Sequence, residues 1–132
     1  MTIGIDIDDT LTETSKIANL YLKQNEKYKD LVDYHLLDTE TFGRFVAENI
    51  ESIQKHVPLK AGAKDFIDNL RESGNKVIII TARGSNEFEF LINITLDYFK
   101  DMGIDVDEIV FAQERKGDAC LKCGVEIFID DK

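Results

Sequence analysis

Four consecutive β-branched residues, Val77-Ile78-Ile79-Ile80, carry no polar side chain on either alternation. A strand made from them presents an apolar surface on both faces, and both faces have to be covered. A helical stripe precedes the run (Ala63, Phe66, Ile67, Leu70), and Gly74 is placed to stop that helix. Helix followed by doubly buried strand is the unit of a parallel α/β sheet, and Thr81 marks the polar end of this strand.

The remaining segments continue the rhythm. Residues 3–7 alternate Ile3, Ile5 and Ile7 and then give way to Asp8, Asp9 and Thr10, which predicts a first strand ending in carboxylates. A helix is expected over 14–27 (Ile17, Leu20, Tyr21) and another from Glu40 to Gln54 (Phe42, Phe45, Val46, Ile50, Ile53). Tyr28 to Asp38 has no sustained period and reads as either helix or loop. Gly84-Ser85 precede a stripe of Phe88, Leu91, Ile92, Leu96 and Phe99; strand 108–112, helix 116–123 and strand 126–129 complete the chain. The order predicts one α/β domain over 1–132: an open parallel Rossmann-like sheet, connected by right-handed crossovers and covered by helices. Residues from about 12 to 58 interrupt the alternation and are expected to form an inserted helical cap after the first strand.

Charge narrows the partners. Sixteen basic against 26 acidic residues give a net charge of −10, which repels a nucleic-acid backbone and favours a small substrate. The Val77–Ile80 run is too short to span a bilayer, and MTIGIDIDDT lacks the layout of an export signal, so a cytoplasmic location is expected. Cys120 and Cys123 have the spacing of a redox pair or half a zinc knuckle. They also fall with Ala119 on one helical face just before Gly124, and His35 and His56 supply no zinc pattern, so core packing is the reading adopted.

In open parallel sheets, ligands gather beyond the C-terminal strand ends. Three such ends carry Asp6-Asp8-Thr10, Thr81 and Asp130-Asp131, and Lys116 opens the last helix. Four acidic groups in one crevice repel one another unless a cation joins them, and a hard cation such as Mg²⁺ prefers oxygen ligands, which Asp6 and Asp131 can supply. Lys116 can hold phosphate as a point charge, and Thr81 can donate its hydroxyl hydrogen to a phosphoryl oxygen. Asp6 is a candidate nucleophile toward phosphorus, and Asp8 a candidate acid and base for the leaving oxygen and water. Arg83 could contact substrate phosphate or cap a neighbouring carboxylate. Asp8-Asp9-Thr10 taken alone could also be a turn and helix cap, a reading that recedes once Asp130-Asp131 is set beside it. The Phe42, Phe45, Val46 stripe reads as internal packing before it reads as a pocket, and Tyr21, Tyr28, Tyr34 and His35 could stack on a base.

Together these residues resemble the haloacid dehalogenase-like hydrolase superfamily and, more loosely, its small 5'-nucleotidase-like branch. IGIDIDDT at 3–10 matches the first motif of that superfamily, VIIITAR at 77–83 the second, Lys116 the third, and EIFIDD at 126–131 the fourth in its double-aspartate form. The resemblance implies an Mg²⁺-dependent phosphohydrolase acting on a small phosphate monoester through an aspartyl-phosphate, with a nucleoside monophosphate the leading substrate. It implies Asp6 as nucleophile and metal ligand, Asp8 as acid/base whose backbone carbonyl also binds metal, and Asp131 as direct metal ligand. Asp130 and Thr10 would support those ligands from behind, and Thr81 and Lys116 would hold the phosphate. Members commonly continue past the double aspartate into a further helix, so downstream sequence is expected to steady Asp131. The alternative is a phosphate- and metal-binding regulatory protein on the same fold. A haloacid-type dehalogenase fits less well, because it needs neither Asp8 nor the paired aspartates.

Overall fold

The computed structural model describes residues 1–27, 30, 33 and 37–131. Four strands, β1 (Thr2–Ile5), β2 (Lys76–Ile80), β3 (Glu108–Val110) and β4 (Ile127–Ile129), form one sheet in the order β3-β2-β1-β4. All pairings are parallel, with Ile3 opposite Val77 on one side and Ile127 on the other. The expected fold class is the one observed.

The apolar run of β2 is buried on both faces, as its composition demands. Val77 and Ile79 join Ile3 and Ile5 in a cluster closed by Ile67, Phe99 and Ile104; Ile78 and Ile80 face Ala119, Cys120, Cys123 and Phe128. The first face is covered by α3 (Ala63–Glu72) and α4 (Leu91–Asp101), the second by α5 (Lys116–Cys123). Both cysteines are free and pack in the second cluster, and α5 ends at Gly124 with Val125 N–H bonded to Cys120 O at 2.9 Å. Gly4 is needed for close approach, since a Cβ there would lie 2.9 Å from the Phe128 ring.

Two helices, α1 (Thr14–Gln24) and α2 (Thr39–His56), make the cap after the first strand. Ala18, Leu22, Phe45 and Ile53 bury one another between them, each large side chain contributing about 1.5–3 kcal/mol. The Tyr21 hydroxyl bonds Ser52 Oγ at 2.8 Å, which gives this tyrosine a packing role. The insertion is rooted by backbone pairing of its two ends: Glu13 N–H to Pro58 O at 3.0 Å and Lys60 N–H to Leu11 O at 2.8 Å. Tyr28, Tyr34 and His35 lie outside the described residues, as does most of the segment expected to be helix or loop.

Several boundaries differ from expectation, and each has a local cause. β1 ends at Ile5 because the chain turns: the N–H groups of Thr10 and Leu11 both point at Ile7 O, at 3.1 and 2.8 Å, and Asp9 is left-handed at φ 63°. β3 stops at Val110, not 112, because Ala112 is also left-handed and donates to Arg83 O at 2.8 Å. α1 ends at Gln24, short of 27. Phe88 sits in a 3₁₀ turn over Asn86–Phe88, and α4 begins only at Leu91. α2 is longer than expected because Asp38 caps it, accepting from Thr41 N–H at 2.8 Å. No helix among the described residues is long and apolar enough to cross a membrane.

Candidate active site

β1 is interior to the sheet: the chain moves from it to β2 and β3 on one side and then returns past it to β4 on the other. The crevice beyond β1 and β4 is therefore a topological switch point, where a parallel sheet leaves room for a ligand. Asp6, the first residue after β1, stays in register by donating its N–H to Ile129 O at 3.0 Å and is only 4 % exposed. Asp130 and Asp131 follow β4 directly, and each of the three carboxylates offers an oxygen within 4.8 Å of the others.

Burial pushes the Asp6 carboxyl up to about 6, while the Lys116 ammonium, 3.2 Å from Oδ1, opposes the rise and Asp130 adds to it. Asp131 N–H donates to Asp130 Oδ1 at 2.7 Å. The Asp131 carboxyl is raised chiefly by its hydrogen bond to Asp130. Burial would raise Asp130, but its bonds from Asp131 outweigh that and lower it. Three carboxylate oxygens within 4.8 Å of one another are compatible with a divalent cation, which prefers such hard ligands. Asp130 belongs to this cluster with its own carboxylate, alongside the two aspartates expected to be direct ligands.

Asp8 faces a different set of groups. Arg83 forks onto it, Nη2 to Oδ1 at 2.7 Å and Nε to Oδ2 at 3.1 Å, and Thr14 donates to Oδ1 at 2.7 Å. Burial would raise the Asp8 carboxyl, but Arg83 and then Thr14 outweigh it and hold it below the usual carboxylate range. The Arg83 side chain is 2 % exposed and also bonds Thr95 Oγ1 at 3.2 Å, so of the two roles open to it this structure displays the carboxylate cap. Thr81 is buried at the end of β2; its hydroxyl oxygen accepts Arg83 N–H at 3.1 Å, which leaves the hydroxyl hydrogen available to donate. Lys116 opens α5, as expected. Thr10 is near the cluster in sequence, and its buried hydroxyl has no partner among the described residues.

Asp9 is the capping residue of the DDT triplet: its carboxylate accepts Ser15 N–H at 2.7 Å and the Ser15 hydroxyl, anchoring α1 beside the site. Sequence reasoning missed Thr14 and Thr95 because a threonine at a helix start or on a helix stripe carries no chemical signature. It also missed Gln54. That residue continues the i, i+4 row Phe42, Val46, Ile50 of α2, and a polar side chain at an apolar row position is a readable signal. The row lines a cavity of about 280 Å³ between α1 and α2 that reaches down to Asp8 and Thr14, whereas Phe45 is 1 % exposed and also packs in the cap interior.

No family model matches the chain, and no curated protein matches it in sequence. Among solved structures it is similar to a protein assigned as a haloacid dehalogenase-like hydrolase from Bacteroides fragilis (TM-score 0.64, 14 % identity, 99 % of this chain and 78 % of that one). It is also similar to one assigned as a β-phosphoglucomutase from Thermotoga maritima (0.59, 12 %, 97 % and 74 %) and to a hydrolase from Streptococcus pneumoniae TIGR4 (0.53, 16 %, 96 % and 79 %). At these identities the likeness is one of fold.

Proposed function

We propose that the chain is a haloacid dehalogenase-like phosphohydrolase, dependent on Mg²⁺, that cleaves small phosphate monoesters through an aspartyl-phosphate on Asp6. The observation carrying this reading is the placement of buried Asp6 at the switch point, between the Lys116 ammonium and the Asp130-Asp131 pair. Asp6, Asp130 and Asp131 would hold the metal, which when bound supplies charge to neutralise the carboxylates and the phosphoryl oxygens.

In the first step an Asp6 carboxylate oxygen forms a bond to phosphorus, and the bond from phosphorus to the ester oxygen breaks. Asp6 attacks as the carboxylate: burial raises its carboxyl to about 6, and the neighbouring Lys116 ammonium favours the ionised form. Lys116 and the Thr81 hydroxyl hold the phosphoryl oxygens. The departing oxygen takes a proton from Asp8, which must first acquire that proton and swing away from Arg83. In the second step water attacks phosphorus, Asp8 accepts the water proton, and the bond between Asp6 and phosphorus breaks. The Arg83 fork, which keeps Asp8 ionised, suits this second half. A nucleoside monophosphate is the leading substrate, on resemblance to the nucleotidase-like branch and on the apolar cavity beside Asp8.

The test is phosphate release from a panel of monoesters with and without Mg²⁺, with Asp6→Asn as control. Release that needs both Mg²⁺ and Asp6 supports hydrolysis; metal and phosphate binding without release supports the regulatory reading.

A further inference from the structure

The cavity between α1 and α2 has features that packing alone leaves unexplained. One wall is the i, i+4 row Phe42, Val46 and Ile50, and its lower end opens on Asp8 and Thr14. At the C-terminal end of the row, toward Pro58 whose carbonyl accepts Glu13 N–H, stands Gln54, 5 % exposed, whose amide oxygen Oε1 is buried and has no hydrogen-bond partner among the described residues. A buried acceptor without a donor is destabilising, and native structures retain one chiefly where something else supplies the donor. A leucine of similar size would fill the same place without that cost.

We propose that this cavity binds the leaving group of the phosphate ester and selects an uncharged, planar apolar ring carrying an N–H or O–H that donates to Gln54 Oε1. The inference rests on the phosphohydrolase reading above and adds the chemical class of the substrate. Size limits the occupant: about 280 Å³ lies at the small end of ligand pockets, enough for a ring system and too little for a peptide or oligonucleotide. Charge limits it as well, because a second anionic group would lose water against the Phe42, Val46 and Ile50 side chains and find no cation among the residues lining the cavity. Polyhydroxylated sugars fit poorly, since most of their hydroxyls would lose water against Phe and Ile side chains and gain nothing in return. The nucleobases of nucleoside monophosphates meet all three conditions where they present an N–H or NH₂ donor.

The experiment compares benzyl phosphate, 3- and 4-hydroxybenzyl phosphate and glucose 6-phosphate, whose leaving oxygens are all alkyl, on the wild-type chain, Gln54→Leu and Val46→Trp. In the wild type kcat/KM for the ring esters exceeds that for glucose 6-phosphate at least tenfold, and at least one hydroxybenzyl ester exceeds benzyl phosphate. Gln54→Leu cancels or reverses the hydroxybenzyl preference, and its melting temperature equals or exceeds that of the wild type, which shows that the fold is intact. Val46→Trp lowers the ratio of benzyl phosphate to ethyl phosphate turnover at least tenfold. Equal use of glucose 6-phosphate and the ring esters overturns the proposal, as does a hydroxybenzyl preference that survives Gln54→Leu. If no ester is hydrolysed, the phosphohydrolase reading fails by itself. Binding of benzyl alcohol and 3- and 4-hydroxybenzyl alcohol, followed by the methyl resonances of Val46 and Ile50, then tests the cavity independently: weaker binding of the donor-bearing alcohols to Gln54→Leu supports it, and unperturbed resonances overturn it.

Discussion

Asp8 is engaged on both oxygens by Arg83 and on one by Thr14, so in the proposed reaction it starts from an anchored, ionised state. The proposed role of leaving-group acid makes a sharp expectation. Asp8→Asn should lose about 10²- to 10⁴-fold in rate on alkyl phosphates and far less on aryl phosphates whose oxygens depart without a proton. Steady-state rates on both ester types check this; equal slowing removes Asp8 from the acid role. Asp107 tests the electrostatics away from the site. Its carboxylate accepts Val77 N–H at 2.7 Å and lies 3.3 Å from Arg71, and these, the backbone bond first, hold it below the ordinary value. A depressed carboxylate contributes stability that is present above its unfolded pKa of about 4 and is lost as pH falls through the folded value. Asp107→Ala should therefore destabilise by about 1 kcal/mol at pH 7 and by less at pH 3, read by urea unfolding. At this scale the sequence is legible where residue type and strand end coincide, as for Asp6, Thr81 and Asp131. Which partner Arg83 takes is illegible, because the fork joins residues 75 positions apart in the chain.

The elements around the site are held by backbone turns that admit few residues. Gly84, at φ 88°, follows the Thr81-Ala82-Arg83 segment, and a Cβ there would lie 2.7 Å from Ile92 Cγ1. Gly84→Ala should destabilise by about 1–3 kcal/mol, and Ile92→Ala in the same chain should recover the steric part but not the backbone part. Chemical unfolding of the four proteins of that cycle separates the two. Asp9, left-handed at φ 63° and capping α1 through Ser15, should cost about 1 kcal/mol or more when replaced by Ala, and less when replaced by Asn, which tolerates that backbone and can still accept. The helices and the doubly buried β2 were readable because periodicity and burial agree. The strand end at Val110 was not, because the turn that stops it rests on left-handed Ala112, and alanine gives no turn signal; at β1 the Asp8-Asp9-Thr10 turn was readable, but not that the strand stops before it at Ile5.

At the level of the whole molecule, the sheet order brings β1 and β4 side by side although their residues are more than a hundred positions apart, and the carboxylate cluster is a product of that topology. The order of elements and the cap were legible from alternating periods, but the cavity under the cap was not, since it depends on how α1 and α2 pack. Mg²⁺ bound to the native cluster and not to the unfolded chain should raise the melting temperature, and Asp131→Ala should remove most of the rise. A melting curve indifferent to millimolar Mg²⁺ would count against the metal site. The central claim is that Asp6 becomes covalently phosphorylated during turnover. Rapid quenching of the Asp8→Asn protein with an aryl phosphate and Mg²⁺, followed by mass measurement of the peptide carrying Asp6, addresses it directly. The account expects one phosphoryl group on Asp6, absent when Mg²⁺ is withheld or Asp6 is Asn; ester hydrolysis that proceeds with Asp6 replaced, or a phosphoryl group found on another residue, would contradict it.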